Sequence, residues 1–197
     1  MWLVVGLGNP GNEYQMTRHN IGFLAMDAWL KSLNSLNYRS EHKAETKKIK
    51  IEMNGQSEEV LIAKPQTYMN RSGESVQSLM AFYKIPLEKI LVVHDDIDQP
   101  FGSMKFQKNR GHGGQNGVRH ISEILGTADY NRLKLGVGRP THPDFQVADY
   151  VLSAFPKADL PLLTKVLEKA CDGIECLITK GLSAAATEFN KDFSQLK

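Results

Sequence analysis

Ile90-Leu91-Val92-Val93 is an apolar run with no polar interruption. A strand with one wet face alternates apolar and polar residues. An unbroken run instead predicts a strand at the centre of a sheet, covered on both faces. Trp2 to Val5 has the same character and ends in a glycine turn, Gly6 to Gly11, and Leu133 to Val137 reads as another strand. Between these runs the apolar period changes to that of a helix. Ile21, Leu24, Ala25, Ala28, Trp29 and Leu33 follow it from Asn20 onward. Ser72 is placed to cap a helix burying Val76, Leu79, Met80 and Tyr83 that stops before Pro86. A further helix carries Val118, Ile121 and Leu125 and closes at Gly126, and 158–180 is a long amphipathic helix through Leu160, Leu163, Leu167, Ala170, Ile174 and Leu177. A shorter one follows Leu182. Ile49 to Met53 and Glu59 to Ala63 flank Asn54-Gly55, which predicts a hairpin because both residues tolerate the positive φ of a tight turn. Together these predict one α/β domain spanning 1–197, three-layered, with a mixed, mostly parallel twisted sheet flanked by helices.

Composition narrows the class. Apolar residues make up 41% and charged residues 23%, ordinary soluble usage rather than that of a disordered chain. No apolar run approaches the roughly 18–20 residues a membrane helix needs, and Trp2 to Val5 lacks the basic start of a signal peptide. Cys171 and Cys176, on different faces of a helix, form no recognised metal or redox spacing and read as buried thiols in a reducing, cytoplasmic compartment. The net charge of +2 is too small to imply nucleic acid by itself.

Gly6-Leu7-Gly8-Asn9-Pro10-Gly11 matches the dinucleotide fingerprint after a strand. That fingerprint works by aiming a helix N-terminus, opened by the loop itself, at a pyrophosphate. Here Pro10-Gly11 is a turn dipeptide, and Asn12 to His19 is polar and lacks helical spacing. Asp27, the one acidic candidate for a ribose, falls inside a helix instead of at a strand end. The match is weak, and a dinucleotide-binding enzyme is a lesser reading of this chain.

Polar groups collect where strands end: Asn9, His19-Asn20, Asn70, Asp95, and Asn116 from a second glycine loop, Gly111 to Gly117. Asn9 and Asp95 directly follow apolar runs, which places both at carboxyl ends of strands, where open α/β sheets gather function. A neutral imidazole accepts a proton from water near neutral pH, and a carboxylate on its second nitrogen fixes its tautomer. Asparagine amides donate to a developing oxyanion without adding charge. No Gly-x-Ser-x-Gly elbow or reactive cysteine is present, which favours direct attack by water. Each residue alone also fits a plain role: His19 as a helix cap or core residue, an asparagine closing a turn, Asp95-Asp96 facing solvent. His94-Asp95-Asp96 suggests metal, but no His-x-x-x-His or comparable spacing supplies further ligands.

Read together, the segments resemble the bacterial peptidyl-tRNA hydrolase family. The resemblance runs in order through Val4–Gly11 with Tyr14 and Thr17–Gly22, Lys64–Gly73, Val93–Asp98 with Gly102 and Lys105, Gly111–Gly117, Arg132–Pro140, and Tyr150–Leu152 with Phe155. It implies an enzyme that hydrolyses the ester between a peptide and the 3′-terminal ribose of tRNA, as a cytoplasmic monomer using no metal and no cofactor. Carried over by position, His19 is the catalytic base and Asp95 the carboxylate that orients it. Asn9, Asn70 and Asn116 hold the peptide portion and the attacking water, while Tyr14 and Met69 shape the cleft.

The resemblance also implies tRNA binding through basic residues beside the cleft. From Lys105 to Arg139 there are seven Lys and Arg residues against Glu123 and Asp129, a stretch that attracts phosphate without reading bases. Lys105, Lys108, Arg132 and Lys134 are the expected contacts. The basic Arg39–Lys50 stretch reads as an exposed hairpin edge. Two positions depart from the family pattern. Gln115 stands where His is common, and Gln107 stands where a second Lys is usual. A non-catalytic RNA-binding relative is the alternative reading, and the full set of five polar site residues weighs against it.

Overall fold

The apolar run at residue 90 is the centre of the sheet. In the computed structural model, which describes residues 1–53 and 55–195, β5 (Ile90–Asp96) is buried along its whole length. It pairs in parallel with β1 (Trp2–Gly6) on one side and β7 (Asn131–Gly136) on the other. Parallel to β1 lies β4 (Gln56–Pro65), completing a parallel centre of β4-β1-β5-β7. Antiparallel strands finish both edges: β3 (Ala44–Met53) and β2 (Arg39–Glu41) beyond β4, and β6 (Ser103–Lys108) and β8 (Lys191–Asp192) beyond β7. The sheet is therefore mixed, with its parallel part confined to the middle. No helix among the described residues is long and apolar enough to cross a membrane.

Strand alternation explains the three layers. Val4, Leu91, Val93, Leu133 and Leu135 face α1 (Ile21–Ser32), α5 (Leu160–Lys180) and α6 (Leu182–Phe189). Their neighbours Leu3, Val5, Ile90 and Val92 face α2 (Ser72–Tyr83) and α3 (Asn116–Leu125). Each such fully buried aliphatic side chain contributes roughly 1.5–3 kcal/mol relative to exposure. Farther along that second face the apolar residues give way to His94, Arg132, Lys134, Lys105 and Gln107, which lie in cross-strand register.

Several local expectations need adjustment. The hairpin strands are longer than the sequence pattern predicts, and Asn54 of the expected turn lies outside the described residues. Ser72 does not cap α2. A 3₁₀ turn over Met69–Arg71 feeds directly into the helix, so Ser72 is its first residue and its hydroxyl donates back to the Met69 carbonyl at 2.8 Å. Leu33 and Leu160, expected on buried faces, sit at helix ends and are exposed. The strand Ser103–Lys108 was not predicted, although Met104 and Phe106 alternate with Lys105 and Gln107.

Candidate active site

Because β1, β4, β5 and β7 run parallel, their carboxyl ends share one edge, and the chain leaves each end into a connection carrying polar groups. Past β1, the Leu7 amide donates to the Val93 carbonyl at 2.9 Å, prolonging the strand pairing by one step. The N-terminus of α1 packs against this corner so closely that a Cβ on Gly22 would lie 2.4 Å from both Leu7 N and Val93 O. That contact brings the short 3₁₀ turn Arg18–Asn20, and with it His19, back over the end of β5.

There His19 Nδ1 lies 2.8 Å from Asp95 Oδ2. A carboxylate only accepts, so Nδ1 carries the hydrogen and Nε2 is the nitrogen left for the cleft that His19 lines. The imidazole is 12% exposed and the carboxylate 3%. Burial by itself would lower the proton affinity of His19, but the charge and hydrogen bond of Asp95 outweigh it, so the pKa is raised above the ordinary 6.5.

The cleft has a volume of about 430 Å³ and also takes in Asn9, Met69, Asn70, Asn116 and Lys134. Asn9 is held on three sides. Its backbone N–H donates to Asn20 Oδ1 at 2.9 Å, its carbonyl accepts from Asn20 Nδ2 at 2.9 Å, and its side-chain oxygen accepts from the Met69 amide at 2.8 Å. With that oxygen occupied, the Asn9 NH₂ is the part available to a ligand. Asn70 in the Met69–Arg71 turn and Asn116 at the start of α3 are exposed side chains on opposite connections.

The connection bearing Asn116 takes an indirect path. β6 ends far from the cleft, with Lys108 opposite Asn131. The loop then returns across the sheet face to Gln115, whose Nε2 donates to Asp95 Oδ1 at 3.0 Å. On the way Arg132 pins it, donating from Nη2 to the carbonyls of Arg110 at 2.5 Å and Gly111 at 3.1 Å.

This corrects one expectation for the basic residues. Arg132 is 1% exposed beneath that loop, so it braces the loop and is not a surface contact. Lys108 sits across strand alternation from Lys105, 3.5 Å from Asp129. Lys105 is exposed and registers with Lys134, whose Nζ pairs with Asp96 at 2.5 Å on the cleft wall. Tyr14 is not among the residues lining the cleft, and its carbonyl accepts from the N–H and hydroxyl of Thr17 in the turn that leads to His19.

Other lining residues were not predicted. α4 (Val147–Val151) forms one wall with Leu152, and Ile97, Tyr68 and His112 contribute too. Arg18 ties that wall to the His19 turn, with its guanidinium 4.3 Å over the Tyr150 ring and Nη1 donating to Ser153 Oγ and the Ala154 carbonyl. The signal available beforehand was the Tyr150–Leu152 motif, which pointed to the segment but gave it no place. Asp27, the rejected ribose ligand, accepts from Tyr38 Oη at 2.6 Å and Lys64 Nζ at 2.8 Å on α1. Among the described residues no cluster of three or more His, Cys, Asp or Glu side chains is arranged to hold a metal ion.

Comparisons with known proteins agree on one family. The family model described as peptidyl-tRNA hydrolase matches residues 3–196. A peptidyl-tRNA hydrolase of Bdellovibrio bacteriovorus is 54% identical over 96% of this chain and 100% of its own length. One of Citrifermentans bemidjiense is 42% identical over 95% and 97%. Among solved structures, the peptidyl-tRNA hydrolase of Acinetobacter baumannii superposes with a TM-score of 0.86 at 31% identity, covering 98% of this chain and 96% of that one. With near full-length coverage in both directions, the chain belongs to the peptidyl-tRNA hydrolase family.

Proposed function

We propose that the protein hydrolyses the ester joining a peptide to the 3′-terminal ribose of tRNA, with His19 as general base and Asp95 as its orienting partner. The observation that carries this reading is the 2.8 Å contact between His19 Nδ1 and Asp95 Oδ2 at the wall of an open cleft. His19 Nε2 takes a proton from water as the oxygen attacks the ester carbonyl carbon. The imidazolium that forms is stabilised by Asp95, and the tetrahedral oxyanion accepts from amide N–H groups, of which the Asn9 NH₂ is the best prepared. When the carbonyl carbon–ribose oxygen bond breaks, the imidazolium returns the proton to the departing ribose hydroxyl. Peptide acid and free tRNA leave.

Asn70 and Asn116 suit a peptide of any sequence, because their amides address backbone groups and not side chains. Lys105 and Lys134, in register beside the cleft, supply phosphate attraction without base reading. Lys134 is already compensated by Asp96, which leaves Lys105 the stronger candidate for RNA contact. One chain supplies all of these groups, consistent with a monomer. The free buried cysteines and the substrate fit a cytoplasmic enzyme.

The test is to mix the purified protein with an N-blocked aminoacyl-tRNA, with no metal or cofactor added, and follow ester cleavage. Cleavage that His19→Ala abolishes supports the reading. Tight tRNA binding by the wild-type protein without cleavage would turn it into an RNA-binding relative.

A further inference from the structure

Asp95 has two carboxylate oxygens, and only one faces His19. The other accepts from Gln115 Nε2 at 3.0 Å. Both side chains are buried, Gln115 at 7% exposure and Asp95 at 3%. The direction of the Gln115 amide is fixed by its other end: Oε1 accepts the Val118 N–H at 2.8 Å, capping α3. With the oxygen so engaged, the NH₂ must point inward, where it meets Asp95 Oδ1 and, at 3.2 Å, Met69 Sδ. A flipped amide would set an oxygen against a carboxylate and orphan the Val118 donor.

We propose that Gln115 is a positioning residue for the reaction, holding the Asp95 carboxylate in the rotation that aims Oδ2 at His19. The inference rests on the reading of His19 and Asp95 given above. Gln115 reaches the cleft wall with both ends of its amide already engaged by protein groups. It acts through Asp95, and it does so from the cap of the helix that begins with Asn116, so one side chain sets the carboxylate and the first turn of α3 together. This is also where the chain departs from the family pattern of a histidine. An amide does not titrate, so here the brace on Asp95 keeps one charge state across the neutral range.

Capping and bracing are separable by substitution. Gln115→Ser keeps an oxygen of the type preferred at a helix N-cap but is too short to reach Asp95. Gln115→Ala removes both contacts, and Gln115→His restores an N–H donor. Gln115→Ser is expected to lower kcat about tenfold, the scale of a lost hydrogen bond to a charged group, with KM changed less than about twofold. It should also retain more thermal stability than Gln115→Ala, and Gln115→His should regain part of the rate. Without this donor the Asp95 carboxylate is free to rotate off Nδ1, which weakens the contact that raises the His19 pKa. The acid limb of kcat/KM should therefore move to lower pH, and so should the His19 titration followed by NMR in the substrate-free protein.

Wild-type kcat with an unmoved limb in Gln115→Ser would overturn the proposal while leaving the His19 assignment standing. Failure of the wild-type protein to cleave the ester would overturn the proposed function, and the NMR titration would still decide whether Gln115 acts on the Asp95–His19 pair. A titration identical in wild type and Gln115→Ser would refute that action.

Discussion

His19 and His94 both bond to Asp95, and they behave in opposite ways. His19 meets the side-chain carboxylate through Nδ1 at 2.8 Å, and its pKa is raised. His94 meets the backbone carbonyl of the same residue through Nδ1 at 2.7 Å, is 1% exposed, and has its pKa lowered to about 4. Its Nε2 is buried with no hydrogen-bond partner among the described residues. Burial opposes charge in both rings. Only His19 has a carboxylate pointed at it, whereas His94 lies on the sheet face shared with Arg132 and Lys134, whose charges add to the penalty. One strand end thus holds a ring whose proton affinity is raised beside one whose proton affinity is lowered, and the difference comes from which face of β5 each occupies.

The comparison breaks first at His19. Replacing it with Ala should reduce turnover of an N-blocked aminoacyl-tRNA at least about a hundredfold, the scale of a lost general base, with tRNA affinity nearly unchanged. A variant keeping more than about a tenth of the rate would remove His19 from the chemistry. On the other face, Lys105→Ala should raise the apparent KM several-fold and reduce the slope of log affinity against log salt by about one, as for a single phosphate contact. An unchanged slope would place the RNA elsewhere.

The smallest effects are on stability, measured as urea unfolding across pH. The folded pKa of His94 lies below its ordinary 6.5, so its contribution is complete above that value and lost as pH falls toward about 4. Between pH 6.5 and about 5.5 the loss is about 1 kcal/mol, and His94→Gln should remove it. His19 acts in the adjoining window. Its raised pKa adds stability that is complete below 6.5 and lost as pH rises through the folded value, and His19→Ala should flatten that slope. Identical pH profiles for the two variants would dissolve the contrast.

How much of this was legible follows from where each group gets its position. Asn9 and Asp95 were readable because each ends an apolar strand, and strand ends in a parallel sheet share an edge. His19 stood out only through its motif, since nothing local brings a 3₁₀ turn against the end of β5. Arg132 looked like part of a basic track. Strand alternation does put it on the face of Lys134 and Lys105, but it lies one pair farther from the edge, where the returning loop covers it. Gln115 was visible as a departure, yet its contact with Asp95 depends on the loop path from β6, which no periodicity encodes.

The pairing of His19 with Asp95 is tested most directly by the pH dependence of kcat/KM in the wild-type protein and in Asp95→Asn. In the wild type the acid limb should have its midpoint above 6.5. In Asp95→Asn the surviving activity should show a lower midpoint, because burial then acts on the imidazole without an opposing charge. A limb that stays in place when the carboxylate is removed would contradict the assignment.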